Sequence, residues 1–158
     1  MNTDFLIATK QNAFNGKGPL DAALEPVEHI SDLSSISENY RYKGMTVTVL
    51  KTEDEKNVPI EYYLYNGIGD FNWKIKSIGP LNTYSMIKSS LPSDYRYYLV
   101  GLKVIIKKDE TNDNKMTEYV VSSIDIKNKT VTWERCDNGS STVPSITVEG
   151  TDMESAGV

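Results

Sequence analysis

Residues 40–73, YRYKGMTVTVLKTEDEKNVPIEYYLYNGIGDFNW, read as a β-meander, and the chain carries the pattern twice. An offset of 57 residues lays this stretch on residues 97–119, YYLVGLKVIIKKDETNDNKMTEY. In that frame Tyr40 meets Tyr97, Gly44 meets Gly101, Val47 meets Val104 and Lys51 meets Lys108. Glu53 meets Glu110, Asn57 meets Asn114, and Glu61-Tyr62 meets Glu118-Tyr119, which makes eight identities. Trp73 and Trp133 follow after a further slip of three. Upstream, Gly18-Pro19-Leu20-Asp21 answers Gly79-Pro80-Leu81-Asn82. Self-similarity at a fixed offset marks a duplicated unit, here of roughly 60 residues.

The repeat also says which face is buried. Met45, Val47 and Val49 alternate with Thr46, Thr48 and Leu50, and Leu102, Val104 and Ile106 alternate with Lys103, Ile105 and Lys107. Successive strand residues point to opposite faces, so the first set of each copy is the core set. A second strand follows the same rule with Tyr62 and Leu64 in one copy and Tyr119 and Val121 in the other, Glu61 and Glu118 facing outward. In the third, Trp73 and Ile75 alternate with Lys74 and Lys76, and Val131 and Trp133 with Thr132 and Glu134. The apolar phase persists in both copies while the polar residues drift, as a structural core requires.

Between these strands the chain is punctuated. Val27, Ile30, Leu33 and Ile36 have helical spacing, with Ser31 or Asp32 as a cap and Pro26 limiting the start. Residues 52–58, TEDEKNV, and 109–115, DETNDNK, are polar hairpin loops at one place in the repeat, and residues 66–70, NGIGD, form a glycine-rich turn. In the second copy a short helix after Thr83 ends at Pro92, and residues 95–108 read as one long strand. A hairpin follows about Lys127-Asn128-Lys129, then a Gly/Ser/Thr-rich tail with one strand-like piece at residues 145–148. The expected fold is mainly β: two tandem, related antiparallel modules, each with a short helix. An N-terminal arm (1–17) precedes the modules (18–78 and 79–136), and an extended C-terminal tail (137–158) follows, frayed at its end unless another subunit holds it.

Bulk properties narrow the function. A net charge of −5, with 17 basic and 22 acidic residues and no basic cluster, argues against nucleic acid as a partner. No apolar run approaches the length of a membrane span, and the first residues show no secretory signal pattern. A lone cysteine, Cys136, has no internal partner, which fits synthesis in a reducing compartment. Each copy alone is near the lower size limit for a stable domain, so the copies are expected to pack together or to lean on other chains.

Candidate chemistry is sparse. The single histidine, His29, lies beside Glu28 without a nucleophile motif, and Cys136 sits at a strand end beside Arg135. Zinc needs four clustered ligands that the sequence lacks. The two acidic loops, Glu53-Asp54-Glu55 and Asp109-Glu110 with Asp113, concentrate oxygens but lack the EF-hand pattern, and solvated charge is their ordinary content. No helix pattern follows Asn66-Gly67-Ile68-Gly69-Asp70, so it is a turn and not a phosphate cradle. No catalytic residue, metal site or cofactor is expected. The ten tyrosines come partly in adjacent pairs, Tyr62-Tyr63 and Tyr97-Tyr98, and each pair must turn one ring away from the strand's own core. Tyr63 and Tyr98 are on this count interaction residues, with rings covering the other copy as the alternative.

Two stretches carry a resemblance. Phe14-Asn15-Gly16-Lys17-Gly18-Pro19-Leu20-Asp21-Ala22 and Arg41-Tyr42-Lys43-Gly44-Met45-Thr46-Val47-Thr48-Val49, followed by Glu61-Tyr62-Tyr63-Leu64 and Trp73-Lys74, resemble a module of virion structural proteins. These are fibre- or appendage-type proteins of tailed phages infecting Bacteroidales, including crAss-like phages. The likeness covers residues 14–76, with Asp32-Leu33 as its helix piece, and the second copy departs from it at Asn82 and Leu102-Lys103-Val104. It implies a non-enzymatic head-fibre, decoration or adaptor protein, made in the bacterial host cytoplasm and located in the virion. It further implies capsid, fibre or tail proteins as partners and a homo-oligomer, favouring a trimer. Phe5, Phe14, Pro19, Leu20 and Asp21 are the assembly residues expected in the arm and the start of the first module. A carbohydrate- or ligand-binding β module using exposed Tyr and Trp is the competing expectation.

Overall fold

The structure, a computed structural model, describes residues 25–136 and 145–149. The described residues form two sheets. The first has the order β1 (Thr46–Val49), β2 (Ile60–Leu64) and β3 (Trp73–Ile78). The second has the order β4 (Leu81–Thr83), β5 (Lys103–Asp109), β6 (Lys115–Asp125), β7 (Thr130–Arg135) and β8 (Ser145–Glu149). All pairings are antiparallel except β4 on β5. Among the described residues the helical pieces are short: 3-10 helices Ile30–Ser35, Glu38–Tyr40, Asp70–Asn72 and Tyr95–Tyr97, and one α-helix, α1 (Met86–Ser89).

The duplication is visible bond by bond. Val47 pairs with Tyr62 as Val104 pairs with Tyr119, and Leu64 pairs with Trp73 as Val121 pairs with Trp133. The turn into each first strand needs a glycine: Gly44 has φ +85° and Gly101 φ +100°, a region closed to most side chains. Their N–H groups donate to the carbonyls of Leu64 and Val121 at 2.8 and 2.9 Å, closing each hairpin at the same point.

The sequence alignment slips upstream of the hairpins. Leu81 pairs in parallel with Ile106, and the counterpart of that contact in the first unit is a parallel bridge from Val27 to Val49. Val27, not Leu20, therefore holds the place of Leu81; Leu20 itself lies outside the described residues. Other expectations also change. Tyr95–Tyr97 is a 3-10 helix, and β5 begins only at Lys103, because the Gly101 turn breaks the long strand that the apolar run suggests. Over residues 30–35 the backbone is 3-10, with His29 at the N-cap position and its N–H donating to Asp32 Oδ2 at 3.0 Å. The strand-like piece of the tail is a strand, Ser145–Glu149. As β8 it pairs with β7 of the same chain, Trp133 opposite Ile146.

Met45, Val47, Val49, Tyr62, Leu64, Trp73, Leu102, Val104, Ile106, Tyr119, Val121 and Trp133 are all buried, none more than 8% exposed. They belong to a single hydrophobic cluster that runs through both units. The Tyr97 ring meets the Tyr62 ring edge-on at 5.7 Å, and Gly79 N–H donates to the Pro59 carbonyl at 2.8 Å. Sharing one core gives each small unit the apolar contact area it lacks alone. Among the described residues no helix is long and apolar enough to cross a membrane.

Candidate functional site

One position of the repeat explains why Tyr98 is not an interaction residue. Tyr98 corresponds to Arg41, and both point inward. The Arg41 guanidinium donates to the carbonyls of Ile36 and Ile68 at 2.9 and 2.8 Å, pairs with Asp70 at 2.9 Å and lies 5.9 Å from the centre of the Trp73 ring. The Tyr98 hydroxyl donates to the Pro92 carbonyl, and its ring meets Trp133 edge-on at 6.1 Å. In each unit a buried donor ties the preceding helical segment down over the conserved-in-place tryptophan. Burial pushes the Tyr98 phenol far above its ordinary range. The outward ring that the Tyr97-Tyr98 pair demands in a strand is not needed, since neither residue is in one. Tyr63 stays half-buried on the outer face, its ring 5.9 Å from that of Tyr65.

The acidic loops are tied into the fold. Asp109 is fully buried, accepting from Thr111 N–H at 2.8 Å, Thr111 Oγ1 at 2.6 Å and the Tyr119 hydroxyl at 2.7 Å. Burial alone would raise its carboxyl pKa; the hydrogen bonds from Thr111 and Tyr119 outweigh that and leave it below the ordinary value. Glu110 accepts from the N–H groups of Tyr84 and Ser85, at the start of α1. In the first unit Asp54 accepts from Thr52 and, at 3.0 Å, from Ser90 Oγ of the second unit. His29 Nε2 lies 2.8 Å from Glu55 Oε2, next to a Lys51–Glu28 pair at 3.3 Å. Among the described residues no three His, Cys, Asp or Glu side chains are grouped to hold a metal ion.

The two units differ at one sheet edge. Tyr65 N–H donates to the Asn72 carbonyl at 2.8 Å, so Tyr65–Asn72 is a hydrogen-bonded pair. Antiparallel alternation then makes Leu64–Trp73 and Tyr62–Ile75 non-bonded pairs, with the N–H and C=O groups of Trp73 and Ile75 facing away from β2. The same count, started from Cys136 N–H on the Glu118 carbonyl at 2.8 Å, turns the Trp133 groups away from β6. There β8 meets them. No strand among the described residues meets those of β3.

Beside β3 runs a crevice of about 380 Å³ between the units. Phe71 and Lys74 form one wall; Tyr95, Arg96, Ile124 and Ile126 form the other. Phe71 and Ile126 are 58% and 44% exposed. Arg96 is held in place by Asp94 at 3.0 Å, and its guanidinium sits 4.5 Å from the centre of the Phe71 ring. Lys74 Nζ donates to the Arg96 carbonyl. Its ammonium is half removed from water, which lowers its pKa, partly countered by the charge of Asp94. Apolar walls around a poorly hydrated ammonium are the make-up of a recognition surface.

Of the residues that the sequence singles out for assembly, Phe5, Phe14, Pro19, Leu20 and Asp21 lie outside the described residues. The sequence does not single out the crevice residues Phe71, Lys74, Arg96 and Ile126 as a site; Lys74 reads there only as an outward residue of its strand. Both tryptophans are buried, at 2% and 0% exposure, so they offer no surface for a sugar. Comparison of the chain with protein-family models, with curated proteins and with solved structures finds no match.

Proposed function

We propose that the chain is a non-enzymatic structural component of a phage virion, a head-fibre or decoration protein or an adaptor for a fibre or tail. It assembles as a homo-oligomer, threefold on the resemblance, and joins capsid, fibre or tail proteins through its strand edges. One observation carries the assembly part of this reading. Two units built to the same register end differently: the outer edge of β7 is filled by β8, and no strand among the described residues pairs with the outer edge of β3. Unpaired edges are places where chains add to one another, and folded proteins ordinarily blunt them. The resemblance of residues 14–76 to virion appendage modules carries the location.

The test is the particle itself. Mass spectrometry of purified virions should find this chain at a fixed stoichiometry, and a reconstruction should show a strand of another chain hydrogen-bonded along Trp73–Ile78. A chain absent from particles, or a β3 edge facing solvent inside them, overturns the reading.

A further inference from the structure

We infer that the crevice beside Phe71 and a second one adjoining it form a single binding site for a neutral sugar ring, a hexopyranose unit of a glycan. The second crevice, of about 280 Å³, shares Phe71 and Arg96 with the first, and Asp70, Trp73, Asp94 and Tyr97 complete its walls. Both crevices are near the small end of the range for ligand sites, about 300–1,000 Å³. The site is separate from strand-edge assembly and does not depend on it.

Three properties of the walls select that ligand. The first is charge. Asp70 pairs with Arg41 at 2.9 Å and Arg96 with Asp94 at 3.0 Å, and Lys74 lies in the field of Asp94 while donating to the Arg96 carbonyl. A charged ligand has to compete with these built-in counter-ions, whereas a neutral one uses the lone pairs they leave. The second is polarity. Asp70 Oδ2 and the Tyr97 hydroxyl have no hydrogen-bond partner among the described residues. Burial, reinforced by the Asp94 carboxylate, raises the Tyr97 phenol above its ordinary value and keeps it protonated as a donor. A wholly apolar ligand strips water from both groups and returns no hydrogen bond. The third is the platform. Phe71 is 58% exposed even with the Arg96 guanidinium against it, which leaves aromatic surface for the C–H face of a pyranose.

A peptide fits these walls less well. An extended chain brings one N–H per residue and turns successive ones to opposite sides, whereas vicinal hydroxyls deliver two donors to one carboxylate. The polar groups are also fixed before binding. Asp94 Oδ1 accepts from the N–H and Nε of Arg96 at 2.9 and 3.2 Å. Asn72 closes the loop that carries Phe71, accepting from Gly69 N–H and donating to the Tyr65 carbonyl, both at 3.0 Å. Such preorganised groups lose little freedom on binding. The turn at the same place in the second unit, Lys127-Asn128-Lys129, has no aromatic residue, so duplication alone does not account for Phe71.

The test titrates the isotopically labelled full chain, followed by its amide chemical shifts, with the methyl glycosides of glucose, galactose, mannose, fucose and N-acetylglucosamine at millimolar concentration. At least one should shift the amides of Phe71, Arg96 and Tyr97 saturably. Phe71→Ala should weaken that binding about tenfold, the loss of one ring contact, and Phe71→Tyr should restore it. Tyr97→Phe, which keeps the ring against Tyr62, should weaken it roughly three- to tenfold. Neither side chain is fully buried, so both variants are expected to fold, which thermal melts check. No saturable shift with any glycoside, or unchanged affinity in both Phe71→Ala and Tyr97→Phe, overturns the inference. Tighter binding of methyl glucuronoside than of methyl glucoside makes the site one for anions and also overturns it. Saturable shifts by acetyl-Gly-Pro-Gly-amide with none by the glycosides give the site to a peptide and do the same. None of these outcomes changes with the presence or absence of the chain in particles.

Discussion

Replacing Asp109 by alanine should destabilise the protein by about 2–4 kcal/mol, because it removes the acceptor of three hydrogen bonds, one of them from the buried Tyr119 hydroxyl. The side chain is fully buried and accepts hydrogen bonds of 2.6 to 2.8 Å from the N–H and Oγ1 of Thr111 and the hydroxyl of Tyr119. Each buried donor left unpaired costs about 1–3 kcal/mol. Asp109→Asn keeps one acceptor oxygen for Thr111 and turns an amide toward Tyr119, so it should lose only the charge assistance, about 1–2 kcal/mol. Tyr119→Phe should cost about 1–2 kcal/mol in the parent, and less in the Asp109→Ala background, where its hydroxyl has lost the carboxylate and keeps only Thr111 Oγ1, 3.2 Å away. Urea unfolding of the four chains of this cycle at neutral pH measures the coupling. The pH dependence has a fixed sign. A carboxyl held below its ordinary value of 3.8 contributes stability that is complete above that value and lost as pH falls through its folded pKa. The gap between the parent and Asp109→Asn should therefore narrow below about pH 4. Equal costs for Tyr119→Phe in both backgrounds, or an acid limb identical in parent and Asp109→Asn, would refute the reasoning.

Other outcomes follow from the repeat. Val47→Asp and Val104→Asp each bury an unpaired carboxylate and should cost several kcal/mol, whereas outward-facing Thr48→Asp should be mild; thermal melts with equal losses at Val47 and Thr48 would contradict the strand phase. Gly44→Ala and Gly101→Ala should each cost about 1–2 kcal/mol although an added Cβ meets nothing within 4 Å, since the cost is in φ and not in contact. A denaturant series showing either substitution neutral would remove the strain argument. Arg41→Ala leaves the Ile36 and Ile68 carbonyls without their donor and should cost roughly 2–5 kcal/mol, with little recovered in Arg41→Lys, because one ammonium does not span both acceptors; full recovery by lysine would show that charge alone matters there.

Tyr98 and Asp109 show where local reading stops. Both sit in stretches whose composition suggests a surface, a tyrosine pair and a polar loop, and both are buried. A phenol beside the Pro92 carbonyl and a carboxylate beside Tyr119 are stable inside because partners some distance along the chain satisfy them. Arg41 belongs with them, since a basic residue in the polar stretch Glu38-Asn39-Tyr40-Arg41-Tyr42-Lys43 gives no sign that Ile68, well downstream, will supply an acceptor.

The sequence by itself determined the β-meander, its duplication and the phase of the three strands that each copy repeats. These depend on period-two alternation, which is a property of neighbouring residues. Only the tertiary structure decided that Val27 takes the place of Leu81, that the units share one core, and that β8 covers β7 while β3 is left open among the described residues. It alone placed Phe71, Lys74, Arg96 and Ile126 around one crevice. The physical reason is that pairing across edges and packing between units join residues far apart in the chain, and alternation within one strand carries no information about which edge a distant segment will fill.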